Sequence, residues 1–295
     1  MQNLLGLRVS AAALSVALLL AAASGPSRVY AEDAESEATS DNTVFDYSRY
    51  RSVLQRYVDD DGMVDYKSLK ENRKPLNKFV ESIGNLKKQK YQKWSDTQKI
   101  AFLTNAYNEI TIKIILDNYR IKAGFFGGMR WPSNSIRQIS GVFDEITHPV
   151  MGRDMTLDDI EHETLRKDFN EPRIHLTLVC AAMSCPRLLN RPYTGAKLED
   201  QFGMQAHQFV RQPDNFKIER DNGYVYISSI FKWFGEDFIK TYSPDNNNFS
   251  DLSDKNAAVL NYLKDHLSER DRRYLLNGDY NVYYLDYDWS LNEQD

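Results

Sequence analysis

The sequence predicts an α+β fold, a single compact domain that is predominantly helical around a small, mostly antiparallel sheet. Hydrophobic residues recur at helical spacing in several segments, while only a few short segments have the composition and alternation of β-strands. The two kinds of segment do not alternate regularly, so a parallel sheet built from βαβ units is not expected. A chain of 295 residues is long enough to bury a substantial hydrophobic core.

Capping residues, turn residues and hydrophobic spacing predict where these elements lie. Helices are predicted at residues 47–57, 69–83 with an interruption at Pro75, 95–115 with Ser95 as the cap, 156–166 with Thr156 as the cap, 198–211, 230–240 and 257–267. Strands are predicted at residues 173–180, 224–227 and 280–287, and a loop rich in Gly and aromatic residues at 124–132. The run Asp59–Gly62 predicts a turn and not an EF-hand, because Ser68 stands where a calcium loop needs a bidentate carboxylate.

The composition excludes several classes of protein. Hydrophobic residues make up 42% of the chain and charged residues 27%, which excludes a wholly disordered chain, a collagen-like chain and a coiled coil. The formal net charge of −5 does not predict a nucleic-acid partner. Two cysteines are too few for a disulfide-rich miniprotein or a four-cysteine zinc site. No cofactor is predicted.

The N-terminal segment, residues 1–31, is predicted to be a signal peptide. Residues 9–24 follow Arg8 as an Ala/Leu/Val stretch that is too short to cross a bilayer comfortably. Val29 and Ala31 supply small residues at a signal peptidase site, so cleavage is expected after Ala31. We therefore expect an exported protein, periplasmic or secreted, with no membrane span after signal removal. Its thiols would face an oxidising compartment.

The rest of the chain is predicted to consist of a spacer and one globular domain. Residues 32–43 are acidic, rich in Ser and Thr and almost free of hydrophobic residues, which predicts a disordered spacer. No linker, low-complexity block or internal repeat interrupts the chain from Phe45 onward. This continuity predicts a single globular domain over residues 44–295.

Two helical segments carry polar residues with more than one interpretation. Asp158 and His162 lie four residues apart on one face, so the carboxylate could orient the imidazole as a base or as one edge of a metal site. Helix capping by Thr156 also explains the acidic residues there. Asn105 and Asn108 are poor helix formers in the middle of a helix. They belong either to a surface stripe or to a pair of amides that face a ligand or a loop.

The segment His175–Pro186 contains both cysteines. A Cys180 thiolate would need a base within hydrogen-bonding distance. If the segment is a regular strand, His175 and Cys180 lie about 16 Å apart on opposite faces. The base would then be His162, or one of the remaining candidates, His207 and His148. The alternative is a Cys180–Cys185 disulfide, since four intervening residues can form a turn that brings the Cα atoms close enough.

A set of motifs resembles the domain of unknown function 547. These motifs are Asp61–Tyr66, Ala101–Asn108, Ser135–Arg137, Thr156–His162, Pro172–His175, Cys180–Pro186 and Tyr287–Asn292. The likeness runs in the same order through nearly all of residues 45–292. The family name implies no established activity, but the resemblance draws attention to Asn105, Asn108, His162, His175, Cys180 and Cys185.

Two functional hypotheses follow. The first is a cysteine-dependent hydrolase or acyl transferase, loosely similar to the papain and transglutaminase class. Its predicted catalytic residues are Cys180 as the nucleophile, His175 or His162 as the base, and Asn105 as the amide. The second is a noncatalytic module that binds a peptide or a small molecule and is stapled by a Cys180–Cys185 disulfide. The predicted binding residues are Tyr107, Asn108, Arg137 and Cys185. No metal site is predicted, because His175 with a cysteine supplies too few ligands.

Overall fold

The computed structural model describes residues 44–122 and 130–295. The predicted signal peptide, the predicted acidic spacer and most of the loop predicted at residues 124–132 lie outside the described residues. Among the described residues, no helix has the length and apolar character that a bilayer crossing requires.

Helices build most of the described chain. The α-helices are Ser48–Tyr57 (α1), Tyr66–Glu71 (α2), Lys74–Gly84 (α3), Lys88–Gln92 (α4), Asp96–Asn118 (α5), Leu157–Ile160 (α6), Arg166–Asp168 (α7), Leu198–Phe209 (α8), Ser229–Phe234 (α9), Glu236–Tyr242 (α10), Asp254–Leu263 (α11) and Glu269–Asn277 (α12). A π-helical turn, Glu161–Leu165, joins α6 to α7, and a 3₁₀ helix spans Pro172–Leu176.

The strands form two small sheets. They are His148–Val150 (β1), Arg153–Met155 (β2), Phe216–Glu219 (β3), Tyr224–Ile227 (β4) and Asn281–Tyr284 (β5). Strands β1 and β2 form an antiparallel hairpin, whereas the second sheet has the order β3-β4-β5. Its β3–β4 pair is antiparallel and its β4–β5 pair is parallel. The predicted α+β class, mainly helical with a small and mostly antiparallel sheet, is confirmed.

Helix α5 is the central element of the core. Ser95 caps its start, as predicted, and forms a capping box with Gln98, because each side chain accepts a hydrogen bond from the other residue's backbone N–H. The helix is buried on nearly every side, including its polar residues. Glu109 is fully buried, and neither of its carboxylate oxygens has a hydrogen-bond partner in the structure. Burial raises the pKa of Glu109 well above its usual value.

The hydrophobic core has two parts. The larger cluster packs α1, α2 and α3 against α5 and continues into the segments around α6 and Cys185. The smaller cluster joins α8 to the three-stranded sheet and to α9, α10 and α11. The ring of Tyr287 packs against both clusters, so the C-terminal segment lies where they meet.

The prediction of a strand at residues 173–180 is wrong. Pro172 starts a 3₁₀ helix there, and the Glu171 side chain accepts a hydrogen bond from the backbone N–H of Arg173. The backbone N–H groups of Thr177 and Leu178 then donate to the Ile174 carbonyl, which keeps the chain coiled. A short buried run of this kind has the same hydrophobic pattern as a buried strand, so periodicity alone does not separate the two.

Candidate functional site

Cys180 and Cys185 form a disulfide at the centre of the candidate site. Their Cα atoms lie 6.3 Å apart, and the backbone N–H of Cys180 lies 3.0 Å from the Cys185 sulfur. Ala181 adopts a positive φ of 58°, which turns the chain directly after Cys180. Cys180 is half-buried and Cys185 is buried. The sequence left open whether Cys180 is a free thiol or is bonded to Cys185, and the structure has the disulfide.

The C-terminal segment covers this disulfide. It pairs with the cysteine loop through three backbone hydrogen bonds. Met183 N–H donates to the Ser290 carbonyl at 2.8 Å, and Ser184 N–H and Asn292 N–H donate to the carbonyls of Asp288 and Ala181, both at 3.2 Å. This pairing sets the Tyr287 hydroxyl 3.1 Å from the Cys185 sulfur, to which it donates, and 3.4 Å from the Cys180 sulfur. Burial, together with the nearby Glu161 carboxylate, raises the pKa of Tyr287, so its hydroxyl stays protonated.

Asn105 and Asn108 hold the backbone on either side of the disulfide. The Asn108 amide donates to the Thr177 carbonyl at 2.9 Å and accepts from the Val179 N–H at 2.8 Å. The Asn105 amide makes the same pair of bonds with the backbone of Tyr193, at 2.7 and 2.9 Å. Both side chains are buried, and their amide groups form hydrogen bonds with backbone groups. They face loops, which was one of the two interpretations of the sequence, and the surface-stripe interpretation is wrong.

His175 lies in a buried ion network. Its Nε2 is 2.8 Å from Asp237, its Nδ1 is 3.5 Å from Glu161, and its ring stacks on Phe234 with centroids 4.3 Å apart. Burial by itself lowers the pKa of His175, but the two carboxylates outweigh burial and raise it above its usual value. Arg166 donates to both oxygens of Asp237, at 2.7 and 2.8 Å. Both ring nitrogens of His175 are therefore engaged by carboxylates.

The other predicted bases also have partners away from the sulfurs. The His162 Nδ1 lies 3.1 Å from Arg166, and its Nε2 lies 3.7 Å from Asp158, so the predicted i,i+4 pair forms. His207 interacts through Nδ1 with the carbonyl of His266. The buried Nε2 of His148 has no hydrogen-bond partner. Within residues 44–122 and 130–295, no histidine ring makes a hydrogen bond to either sulfur.

Aromatic residues cluster around Tyr287, whose hydroxyl lies against the disulfide. We call Trp131, Trp233, Tyr287 and Trp289 the aromatic surface. The Tyr287 ring lies 4.6 Å from Trp289 and 4.9 Å from Trp233 between centroids, and Trp131 meets Trp289 edge-on at 5.7 Å. Trp233 is 44% exposed. These rings form a continuous apolar surface beside the half-buried Cys180.

The two remaining predicted binding residues differ in exposure. Arg137 is exposed, and its guanidinium lies 4.7 Å from the Trp131 ring centroid and 5.1 Å from that of Trp289. It is therefore part of the surroundings of the aromatic surface. Tyr107 is buried, and burial and the Glu161 carboxylate raise its pKa well above the usual value. Tyr107 lies beneath the site and does not line its surface.

A family model matches residues 91–210 of the chain, and its description is protein of unknown function, DUF547. Residues 91–210 are thus similar to the DUF547 family. This confirms the resemblance, although the match is narrower than the likeness over residues 45–292. No curated protein and no solved structure is significantly similar to the chain.

The DUF547 region supplies only part of the candidate site. It contains both cysteines, Arg137 and His175, whereas Trp233, Asp237, Tyr287 and Trp289 follow it in the sequence. None of these four C-terminal residues was predicted from the sequence as a site residue. The motif Tyr287–Asn292 was the available signal, since it includes Tyr287, whose hydroxyl lies against both sulfurs, and Trp289, which packs on Tyr287.

Two other features bear on ligand binding. Within the described ranges, no group of three or more His, Cys, Asp or Glu side chains is arranged to hold a metal ion. A groove of about 600 Å³ lies between α1 and α3, with charged residues that include Arg56, Arg73, Lys74 and Glu81. None of the residues that line this groove belongs to the aromatic surface, so the groove is separate from the DUF547 cysteine site.

Proposed function

We propose that this protein is a noncatalytic module that binds a peptide or a small molecule on the aromatic surface, stapled by the Cys180–Cys185 disulfide. The observation that carries the proposal is the disulfide itself. A sulfur in a disulfide cannot act as a thiolate nucleophile, so the resting protein has no candidate for that step. Because neither cysteine sulfur is available as a nucleophile, the remaining feature of the site is the apolar aromatic surface.

The aromatic surface has the properties of a binding surface. Trp and Tyr are enriched at recognition sites because their rigid rings bury a large area at a small cost in conformational entropy. Trp233 and Met183 are exposed by 44% and 45%, which makes them two of the most exposed large hydrophobic residues described. An exposed ring such as that of Trp233, packed against Tyr287 and Trp289, is typical of ligand or partner contacts.

A cysteine-dependent hydrolase or acyl transferase is the second candidate. It is supported by the half-buried position of Cys180 and by the Tyr287 hydroxyl 3.4 Å from its sulfur. This function requires reduction of the disulfide. It also requires a base other than His175, whose two ring nitrogens interact with Asp237 and Glu161. The partly exposed His162 is the better candidate.

Peptide selection combined with thiol counting tests the proposal. The non-reduced protein is immobilised and used to select from a phage-displayed library of random dodecapeptides. We expect peptides that bind the wild-type protein and lose at least tenfold in affinity on Trp233→Ala and Trp289→Ala. Tyr283→Ala is the matched control, because Tyr283 is 43% exposed on β5 and lies outside the aromatic surface. It should bind like the wild type.

Thiol counting separates the two candidates. We expect no free thiol in the native protein and two after denaturation with a reductant. Two free thiols in the native protein, with Cys180 alkylated by iodoacetamide faster than a free thiol standard, would support the cysteine enzyme instead. A library that yields no peptide dependent on Trp233 or Trp289 would contradict the binding proposal, provided that both variants keep the wild-type melting temperature.

A further inference from the structure

We infer that the ligand of the aromatic surface carries an oxyanion, a carboxylate or a phosphate, that pairs with Arg137 while an adjoining flat apolar group packs on the rings. This inference rests on the proposed binding function and names the class of ligand.

The backbone that carries Arg137 is fixed at several points. Ile136 is fully buried, and the Ser135 hydroxyl accepts a hydrogen bond from the Arg137 N–H. The Gln138 side chain donates to the carbonyls of Trp131 and Pro132, both at 3.0 Å. These contacts close the loop between Trp131 and Gln138, so Arg137 extends from a held backbone.

Aromatic rings hold the guanidinium of Arg137 in place. The guanidinium carbon lies 4.7, 5.1 and 5.6 Å from the ring centroids of Trp131, Trp289 and Phe143. Cation–π contacts of this kind stabilise the position of a guanidinium on an aromatic face. A guanidinium that is already positioned loses less conformational entropy when it binds a ligand.

The donors of Arg137 are not used by carboxylates of the protein. In the described ranges, no carboxylate accepts a hydrogen bond from Arg137, and none forms an ion pair with it. Other arginines differ in this respect: Arg166 binds both oxygens of Asp237, and Arg173 binds Glu171 and Glu199. An exposed, positioned guanidinium with free N–H groups suits the bidentate geometry of a carboxylate or a phosphate.

The rings define the second part of the ligand. Trp289 contacts both Arg137 and Tyr287, so a group bound at the guanidinium lies next to an apolar surface. An oxyanion alone would leave that surface exposed to water, whereas a ligand with a planar apolar group beside its oxyanion covers both. The predicted ligand class is therefore an aromatic or otherwise flat carboxylate or phosphate.

A matched pair of probes tests this inference. N-acetyl-L-phenylalanine and its amide differ only in the carboxylate, and phenyl phosphate provides the other oxyanion. Binding is followed through the indole N–H resonances in NMR titrations at low, constant ionic strength, assigned with single Trp→Phe variants. We expect the resonances of Trp131 and Trp289 to shift and that of the core residue Trp94 to stay. The acid should bind about tenfold or more tightly than the amide.

Two arginine variants complete the experiment. Arg137→Gln should lower the affinity for the acid to that of the amide and leave the affinity for the amide within about twofold. Arg130→Gln is the control, because Arg130 contributes the same charge over Trp131 at 5.0 Å. Its effect on the acid should stay within about threefold. Tighter binding of either N-acetyl-L-phenylalanine or phenyl phosphate supports the oxyanion, and the stronger of the two identifies its chemistry.

Other outcomes contradict the inference in distinguishable ways. Equal affinities of acid and amide, or equal losses in the two arginine variants, would show that Arg137 does not pair with an oxyanion, while binding at the rings would remain. If no probe shifts the Trp131 and Trp289 resonances although the peptide selection succeeds, the ligand class is wrong and the proposed function stands. Failure of both experiments would refute the proposed function as well.

Discussion

Replacing Asn108 with alanine is expected to destabilise the protein strongly and to do so through the backbone. The side chain makes two buried hydrogen bonds, to the Thr177 carbonyl and from the Val179 N–H, at 2.9 and 2.8 Å. Alanine leaves both backbone groups buried without partners, at about 1–3 kcal/mol each. The free energy of unfolding should therefore fall by about 2–5 kcal/mol.

Thermal and urea unfolding of the purified protein measure this loss. For a domain of this size the melting temperature should drop by roughly 5–15 °C. Asn118→Ala is the matched control on the same helix, because the Asn118 side chain donates only to the Ile114 carbonyl one turn earlier and is partly exposed. Its cost should be below about 1 kcal/mol.

An aspartate at position 108 sharpens the test. Asn108→Asp keeps the size and the acceptor for Val179, but a carboxylate oxygen then faces the Thr177 carbonyl and repels it. This variant should be destabilised although its shape is retained. An Asn108→Ala variant that unfolds like Asn118→Ala and yet loses peptide binding would contradict a role of Asn108 in holding the backbone. Such a result would indicate that the Asn108 side chain contacts the ligand directly.

Four further predictions concern the cysteines, the buried carboxyl group, the N-terminus and the integrity of the domain. Cys180→Ser and Cys185→Ser should each lower the free energy of unfolding by about 2 kcal/mol, measured without reductant, as the chain entropy of a loop this short indicates. A loss in one variant only would argue against the disulfide. Glu109→Gln should stabilise the protein at neutral pH. Because the folded pKa of Glu109 is raised, stability falls by up to about 1.4 kcal/mol per pH unit as pH rises above the unfolded pKa. Urea titrations across pH should show that slope in the wild type and in the exposed control Glu81→Gln, and its absence in Glu109→Gln. We expect the protein to be exported and to begin at Glu32 by intact mass, and limited proteolysis should cut before Phe45 and leave the rest whole. A product that retains Met1, or a stable fragment ending near Gly195, would contradict these two expectations.

Local signals in the sequence predicted the helical framework well. The caps predicted at Ser95 and Thr156 form, each within a capping box, because a cap and its partner lie three residues apart and depend little on the rest of the fold. The turn at Gly62 has the same basis: its φ of 80° is open to glycine, and a Cβ there would lie 2.7 Å from the backbone nitrogen of Leu188.

Signals that depend on burial were less specific. The run at residues 173–180 reads equally well as a buried strand or a buried 3₁₀ turn, and the structure has the latter. The asparagines of α5 are poor helix formers that needed a compensating contact. That contact is supplied by the backbones of Tyr193 and Val179, 88 and 71 residues away, and no local pattern identifies them.

Local sequence patterns were sufficient to predict the fold class and the helix caps. They also showed that a turn could bring the two cysteines close enough to form a disulfide. Spacing alone could not choose between a thiol and a disulfide, or between the histidines, because both choices depend on residues far apart in the chain. Tertiary structure decided them when the C-terminal segment paired with the cysteine loop and set Tyr287 over the sulfurs. It also placed Asp237, which is 62 residues away in the chain, against His175, where its carboxylate interacts with the imidazole. Pairings of such separation follow from the packing of the whole core, and short-range periodicity carries no information about them.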